Sequence, residues 1–173
     1  MKGHFKAGSS KDDWSTPQPL FDVLNAEFHF DLDACATAET AKCATYFSLD
    51  KGTGALNVPW HGNVFMNPPY GRAIVQWVRK ACEERRNANL IVGLLPARTD
   101  ARWFHDYVLN QAHKVMFTRG RVGYLDPSTG VRAAANITFG SVIVVWLGFN
   151  HPAISERLWV CSFPLPKGSG RTQ

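Results

Sequence analysis

Apolar positions along the chain follow two periods, and each predicts a kind of element. Leu20, Phe21, Leu24 and Phe28 recur three and four residues apart, placing one apolar stripe on a helix. Thr16 can cap that helix, and Pro17 suits its first turn. Phe28-His29-Phe30-Asp31-Leu32-Asp33 alternates apolar with polar and predicts a strand ending near Asp33. A short helix is expected over residues 38–46. Residues 62–66 predict a second strand, which stops abruptly at Asn67-Pro68-Pro69-Tyr70. Ile74, Val75, Val78, Ala81 and Cys82 form the stripe of an amphipathic helix over 73–86. Residues 90–95 are an unbroken apolar run ended by Pro96, the pattern of a strand buried on both faces. Thr99 can cap a further helix carrying Trp103, Phe104, Tyr107 and Val108. Residues 114–117 and 141–147 read as later strands, with turn signals between them. Strands alternating with helices predict an α/β fold: a mainly parallel twisted sheet with helices on both faces.

Composition narrows this picture. The chain has 173 residues, of which 45% are apolar and 19% charged, so it can build a core and is not a disordered segment. A basic, flexible arm is expected over 1–13, one domain over 14–163 and a loose tail over 164–173. Lys plus Arg outnumber Asp plus Glu by 19 to 14, a net charge of +5 that permits a polyanionic partner. The four cysteines form no CxxC pair and lack histidines at zinc-ligand spacing, so buried free thiols and no metal are expected. Residues 1–13 contain no apolar signal-peptide core, and the longest apolar run is too short to cross a bilayer. A cytoplasmic protein without a membrane partner is expected. Gly52 and Gly54 begin a G-x-G, but Asn57 stands where the third glycine of a dinucleotide fingerprint would fall.

The chemistry concentrates in Asn67-Pro68-Pro69-Tyr70. In an open α/β sheet, ligands sit at the carboxyl ends of strands. The prolines stiffen the turn. They hold an amide, a backbone carbonyl and an aromatic ring together at one rim. An exocyclic aromatic amine is a weak nucleophile because its lone pair is delocalised into the ring. The Asn67 side-chain oxygen and the Pro68 carbonyl can accept its two N–H bonds, which favours a pyramidal nitrogen. Tyr70 offers a face for a base to stack on, worth about 1–3 kcal/mol. An amide holds no proton as a carboxylate does, so positioning rather than general-base catalysis would supply the rate. The bland alternative is a rigid strand-end turn with a core tyrosine.

This tetrapeptide resembles the catalytic motif of amino-group methyltransferases that use S-adenosylmethionine. Further segments extend the likeness: Trp14-Ser15-Thr16-Pro17, Phe30-Asp31-Leu32-Asp33-Ala34-Cys35-Ala36, Trp60, Leu95-Pro96-Ala97-Arg98-Thr99-Asp100, Trp103-Phe104-His105 and Gly120-Arg121. Together they resemble the small phage-type DNA N6-adenine methyltransferases (Dam-like), over residues 14 to about 147. The resemblance implies an abbreviated Rossmann-like methyltransferase fold acting on adenine N6 in double-stranded DNA, in a phage-encoded protein.

It also implies roles for single residues. Asn67, Pro68, Pro69 and Tyr70 would be catalytic. Trp14, Thr16, Pro17, Asp33, Ala34 and Asn67 would line the cofactor site, with Asp33 accepting hydrogen bonds from the methionine ammonium. Asp33 can equally cap the next turn, Thr16 can simply cap its helix, and Trp14 can pack the arm onto the core. In relatives an acidic residue lies beside a Gly-Leu or Ala-Leu pair before the Trp. Here Asp50 lies several residues early, and it is assigned to the cofactor with that departure noted. Arg98, Arg102, Arg119, Arg121 and Arg132 are candidate phosphate contacts, each with a solvated surface role as its alternative. His105 reads as a packing residue, or one that supports the site from behind, rather than as a catalyst. The rival functions are N4-cytosine methylation, protein glutamine methylation and a catalytically silent DNA-binding module.

Overall fold

The computed structural model describes residues 14–48, 54–132, 139–152 and 158–170. Asp50 lies outside them. The elements in chain order are α1 (Gln18–Phe28), β1 (Leu32–Ala36), β2 (Thr45–Ser48), β3 (Gly62–Met66), α2 (Ile74–Glu84), β4 (Ala88–Pro96), a π-helical segment (Phe104–Leu109), β5 (Lys114–Arg119), β6 (Ser141–Leu147) and β7 (Trp159–Pro164).

The seven strands form one sheet in the order β2-β1-β3-β4-β6-β5-β7. The pairings β1–β2, β1–β3, β3–β4 and β5–β7 are parallel, whereas β6 is antiparallel to both β4 and β5. The mainly parallel sheet expected from the sequence is therefore a mixed one. The reason lies between β5 and β6, where no helix is found among the described residues. A parallel return needs a crossover, commonly helical, whereas a chain that turns back through loops comes home antiparallel.

Four expectations about element ends and caps are corrected. Phe28 ends α1 rather than starting a strand. His29 adopts φ 50°, and its N–H closes the helix on the Asn25 carbonyl at 2.9 Å. Asn25 Oδ1 then accepts the Phe30 N–H at 2.8 Å, so the chain turns before β1 begins at Leu32. The helix expected over 38–46 is a turn followed by β2. Thr40 Oγ1 accepts the Thr37 N–H at 2.9 Å, and such side chain–backbone bonds compete with helix. Thr16 caps nothing: Pro17 takes the N-cap position, without a side-chain cap bond. Likewise the helical segment after Thr99 starts only near Trp103 and has no side-chain cap.

β3 and β6 match their expected spans, and α2 and β4 differ from theirs by one to two residues. β4 is buried at every position except Asn89, and β6 is buried from Ser141 to Trp146. Gly93 in β4 lets them close together, because a Cβ there would lie 2.9 Å from Trp146 and 3.1 Å from Met66. Trp60 is fully buried, donating its indole N–H to the Ala55 carbonyl at 2.8 Å. Residues 164–170 are tied to the domain. Pro164 ends β7, Ser169 is fully buried, and the Gly123 N–H donates to the Ser169 carbonyl at 2.7 Å. Among the described residues, no helix is long and apolar enough to cross a membrane.

The register defines one functional edge. Asp33 lies beside Phe65, and Met66 beside Gly93. Pro96 lies beside Ser141, Phe117 beside Val142, and Arg119 beside Pro164. The carboxyl ends of β1, β3, β4, β5 and β7 thus share one rim with the start of β6.

Candidate active site

Asn67 follows β3 directly and is fixed from one side. Its Nδ2 donates to the Trp14 carbonyl at 2.6 Å and to Thr16 Oγ1 at 3.0 Å. Both are acceptors for an amide N–H, so the amide is oriented and Oδ1 faces the other way. That Oδ1 is buried and has no hydrogen-bond partner among the described residues. A buried acceptor left unpaired costs about 1–3 kcal/mol, so it marks a place where a donor is missing. Trp14 contributes through its backbone, with its side chain partly buried against the core. Thr16 is nearly fully buried. It makes no helix-cap bond, and its hydroxyl instead accepts from the Asn67 amide.

Pro68 is buried, and Pro69 is partly exposed. The Tyr70 ring is 3% exposed and meets the ring edges of Tyr124 and Phe139 at centroid distances of 5.7 and 5.5 Å. Its hydroxyl donates to the Leu94 carbonyl at 3.0 Å and lies 2.8 Å from the Tyr124 hydroxyl. Burial, then the neighbouring Tyr124, push the Tyr70 phenol well above its usual range, so it stays a neutral donor.

Asp33 lies one strand away, on β1, and is 2% exposed. Its two oxygens accept the Cys35 and Lys42 N–H groups, each at 3.1 Å. The turn-capping role therefore holds, and it leaves lone pairs over on both oxygens. Burial raises the Asp33 pKa to about 6, against the lowering by the two N–H bonds and by nearby Lys42. Lys42 spends its ammonium on Gln18 Oε1 at 2.9 Å instead. Asp33 is thus a desolvated carboxylate, and among the described residues no cation is bonded to it. Between Asp33 and Asn67 sit fully buried Ala34 and then Cys35, whose sulfur receives the Asn67 backbone N–H. Burial first, then the Asp33 charge, hold that thiol well above its ordinary pKa. An anionic group and an unpaired amide oxygen, bridged by Cys35, suit a cationic methyl donor beside an amine. Pro17 borders this set through Thr16. Among the described residues, no cluster of three or more His, Cys, Asp or Glu could hold a metal ion.

All five candidate arginines are exposed. Arg98 follows β4, Arg119 ends β5, and Arg121 and Arg132 lie in the connection to β6, which places these four at the same rim as Asn67. Arg102 pairs with Asp106 at 3.4 Å, an exposed pair of little energetic weight. Arg132 Nη2 donates to the Gly168 carbonyl at 2.9 Å. His105 donates through Nε2 to the Thr99 carbonyl at 2.9 Å.

Sequence reasoning missed Ser15, Tyr124 and Ser141. Ser15 and Leu125 exchange two backbone bonds of 2.9 Å, fixing the segment that orients Asn67. Only the position of Tyr124, an aromatic inside a Gly-rich turn region, hinted at a special role.

Comparison with known proteins adds an independent line. The family model described as DNA N-6-adenine-methyltransferase (Dam) matches residues 5–160. A DNA N-6-adenine-methyltransferase of Escherichia phage T1 is 30% identical over 92% of this chain and 72% of its own length. One of Haemophilus phage HP1 (strain HP1c1) is 29% identical over 74% of this chain and 75% of its own length.

Proposed function

The chain belongs to the family of DNA N-6-adenine-methyltransferases, and from that premise we propose that its rim transfers a methyl group from S-adenosylmethionine to the N6 amine of adenine in double-stranded DNA. The sheet is then an abbreviated Rossmann-like methyltransferase sheet, with reversed β6 set between β4 and β5. One observation carries this reading: Asn67 Oδ1 is buried, unpaired and held in place by the bonds from Nδ2 to Trp14 and Thr16. A target amine supplies the missing donor. Asn67 Oδ1 and the Pro68 carbonyl accept its two N–H bonds and turn the nitrogen lone pair outward, away from the ring.

S-adenosylmethionine supplies an electrophilic sulfonium methyl and a cationic ammonium. The desolvated Asp33 carboxylate receives that ammonium, and Ala34, Thr16 and Trp14 border the same space. No group at the motif accepts a proton in the transfer; the extra proton leaves to solvent afterwards. The rate comes from a fixed geometry, since near-attack positioning alone is worth about 7–11 kcal/mol. An adenine inside a duplex must be flipped out, at a cost of a few kcal/mol. Because Tyr70 is 3% exposed, base stacking on it displaces a covering side chain, with Phe139 the partly exposed neighbour at its edge. The four rim arginines, with Arg102 nearby, contact phosphates and orient the duplex without reading it.

The test uses methyl-labelled cofactor with duplex DNA, followed by digestion to nucleosides. Label in N6-methyladenine is expected. Asn67→Ala abolishes transfer while cofactor binding largely survives. Label in N4-methylcytosine, or equal loss of cofactor binding in Asn67→Ala, overturns the assignment.

A further inference from the structure

The dipeptide Tyr124-Leu125 touches both functional ends of the motif. At one end, the Tyr124 hydroxyl lies 2.8 Å from the Tyr70 hydroxyl and 2.9 Å from Ser141 Oγ. At the other, the Leu125 backbone bridges Ser15, whose two neighbours hold the Asn67 amide. Proton counting gives the hydroxyl chain a direction. Tyr70 has one hydroxyl proton and gives it to the Leu94 carbonyl. Tyr124 must therefore donate to Tyr70, and Ser141 to Tyr124. The chain Ser141, Tyr124, Tyr70, Leu94 is buried throughout, and Tyr124 is fully enclosed. Leu125 also bridges Arg132 on its other side, so this dipeptide, itself inside the arginine-bearing connection, ties that connection to the motif.

We propose that Tyr124 is a positioning residue for methyl transfer: its hydroxyl locks Tyr70 while the adjoining Leu125–Ser15 bridge locks Asn67, so that one dipeptide sets the register of amine acceptor and stacking ring. The inference rests on the reaction proposed above. Tyr124 touches neither substrate nor cofactor and acts only through Tyr70. Without the Tyr124 hydroxyl, the Tyr70 hydroxyl is held by its bond to Leu94 alone and can shift about it. Displacements near 1 Å at a reacting geometry cost on the order of a hundredfold in rate.

The experiment measures kcat for N6-methyladenine formation together with cofactor and DNA dissociation constants and melting temperature. Tyr124→Phe keeps the ring and removes the hydroxyl. It is expected to lower kcat about tenfold or more, with both dissociation constants within about twofold of wild type. Ser141→Ala leaves Tyr124 able to donate and should lower kcat less. A double-mutant cycle separates positioning from stability: in a Tyr70→Phe background, adding Tyr124→Phe should change kcat no further, because its target hydroxyl is gone. Unchanged kcat in Tyr124→Phe, or additive losses in the cycle, overturn the proposal. Should Tyr124→Phe melt below the assay temperature, kcat of both proteins is measured below that melting point, and the same criterion applies: a lower kcat at unchanged binding supports the role, and an unchanged kcat overturns it. Wild-type protein that makes no N6-methyladenine would instead overturn the reaction itself.

Discussion

Lowering pH through 6 is the sharpest perturbation of the cofactor side of the rim. Asp33 has an ordinary pKa of 3.8, raised to about 6 chiefly by burial. A shift of about two pKa units corresponds to about 3 kcal/mol between its two protonation states. The folded pKa lies above the unfolded one. This group's stabilising contribution is therefore fully present below 3.8 and is lost as pH rises through about 6. At neutral pH the fold carries the strain of a desolvated anion. A bound ammonium relieves that strain, but only when the carboxylate is ionised. Affinity for S-adenosylmethionine is therefore expected to be flat above about pH 6.5 and to fall up to tenfold per unit below 6. Binding near pH 6 should release part of a proton. Calorimetric titrations in buffers of different ionisation enthalpy measure both effects. Asp33→Asn should weaken binding roughly tenfold to a hundredfold, the weight of a charge-assisted bond, and should abolish the proton release. Glu84 has the opposite sign and a lower window. Burial raises its pKa, but bonds from Asn87, Lys80 and Trp60 outweigh burial and leave it below 4.5. An affinity that ignores pH between 5 and 8 in wild type, or an Asp33→Asn variant that binds as wild type does, refutes the reasoning.

Three further outcomes follow from the same geometry. Thr16→Val keeps the shape of a nearly buried side chain but removes one of two acceptors for Asn67 Nδ2; kcat should fall about threefold to tenfold, in line with about 1 kcal/mol for a lost hydrogen bond, with DNA affinity unchanged in filter binding. Single Ala substitutions of Arg98, Arg119 or Arg121 should weaken binding evenly across DNA sequences and reduce the salt slope of log K by about one each; a change in sequence preference instead would show base reading. Glu84→Gln breaks a buried node joining Trp60, Lys80 and Asn87; differential scanning calorimetry should show a melting temperature lower by about 3–10 °C, from about 1–3 kcal/mol at this chain length.

The position of the Asn67–Tyr70 turn was legible because it is local. A buried strand followed at once by Asn-Pro-Pro-Tyr fixes its own position: β3 ends at Met66, and the prolines leave the next residues at the rim whatever the rest of the chain does. The apolar periodicity of α2 and the unbroken run of β4 were equally self-sufficient, since each can be buried in only one way. The failures lie where neighbours decide. The alternation from Phe28 to Asp33 satisfies a strand period, yet Phe28 also continues the stripe of α1, and the left-handed turn at His29 settles the matter for the helix. β7 escaped notice because an edge strand needs no alternating pattern: its first four residues are exposed, and Trp159 is 68% exposed.

The residues that hold the motif were the least legible, and the reason is sequence separation. Trp14 and Thr16 reach Asn67 across 53 and 51 positions, and Tyr124 reaches Tyr70 across 54. No local period encodes such pairs; they exist only once the sheet brings its carboxyl ends to one rim. The same separation has a functional consequence. An amide at a strand end, left alone, is free to flip and spend its oxygen on the nearest donor. Here three distant backbone segments converge so that the nitrogen is satisfied and the oxygen is not. The fold thus tolerates one unpaired acceptor, at about 1–3 kcal/mol, in the place where the proposed substrate amine would relieve it. That explains why the motif is rigid on its protein-facing side and unsatisfied on the other. On the proposed reaction, binding energy from the target base would be released at the reacting nitrogen itself.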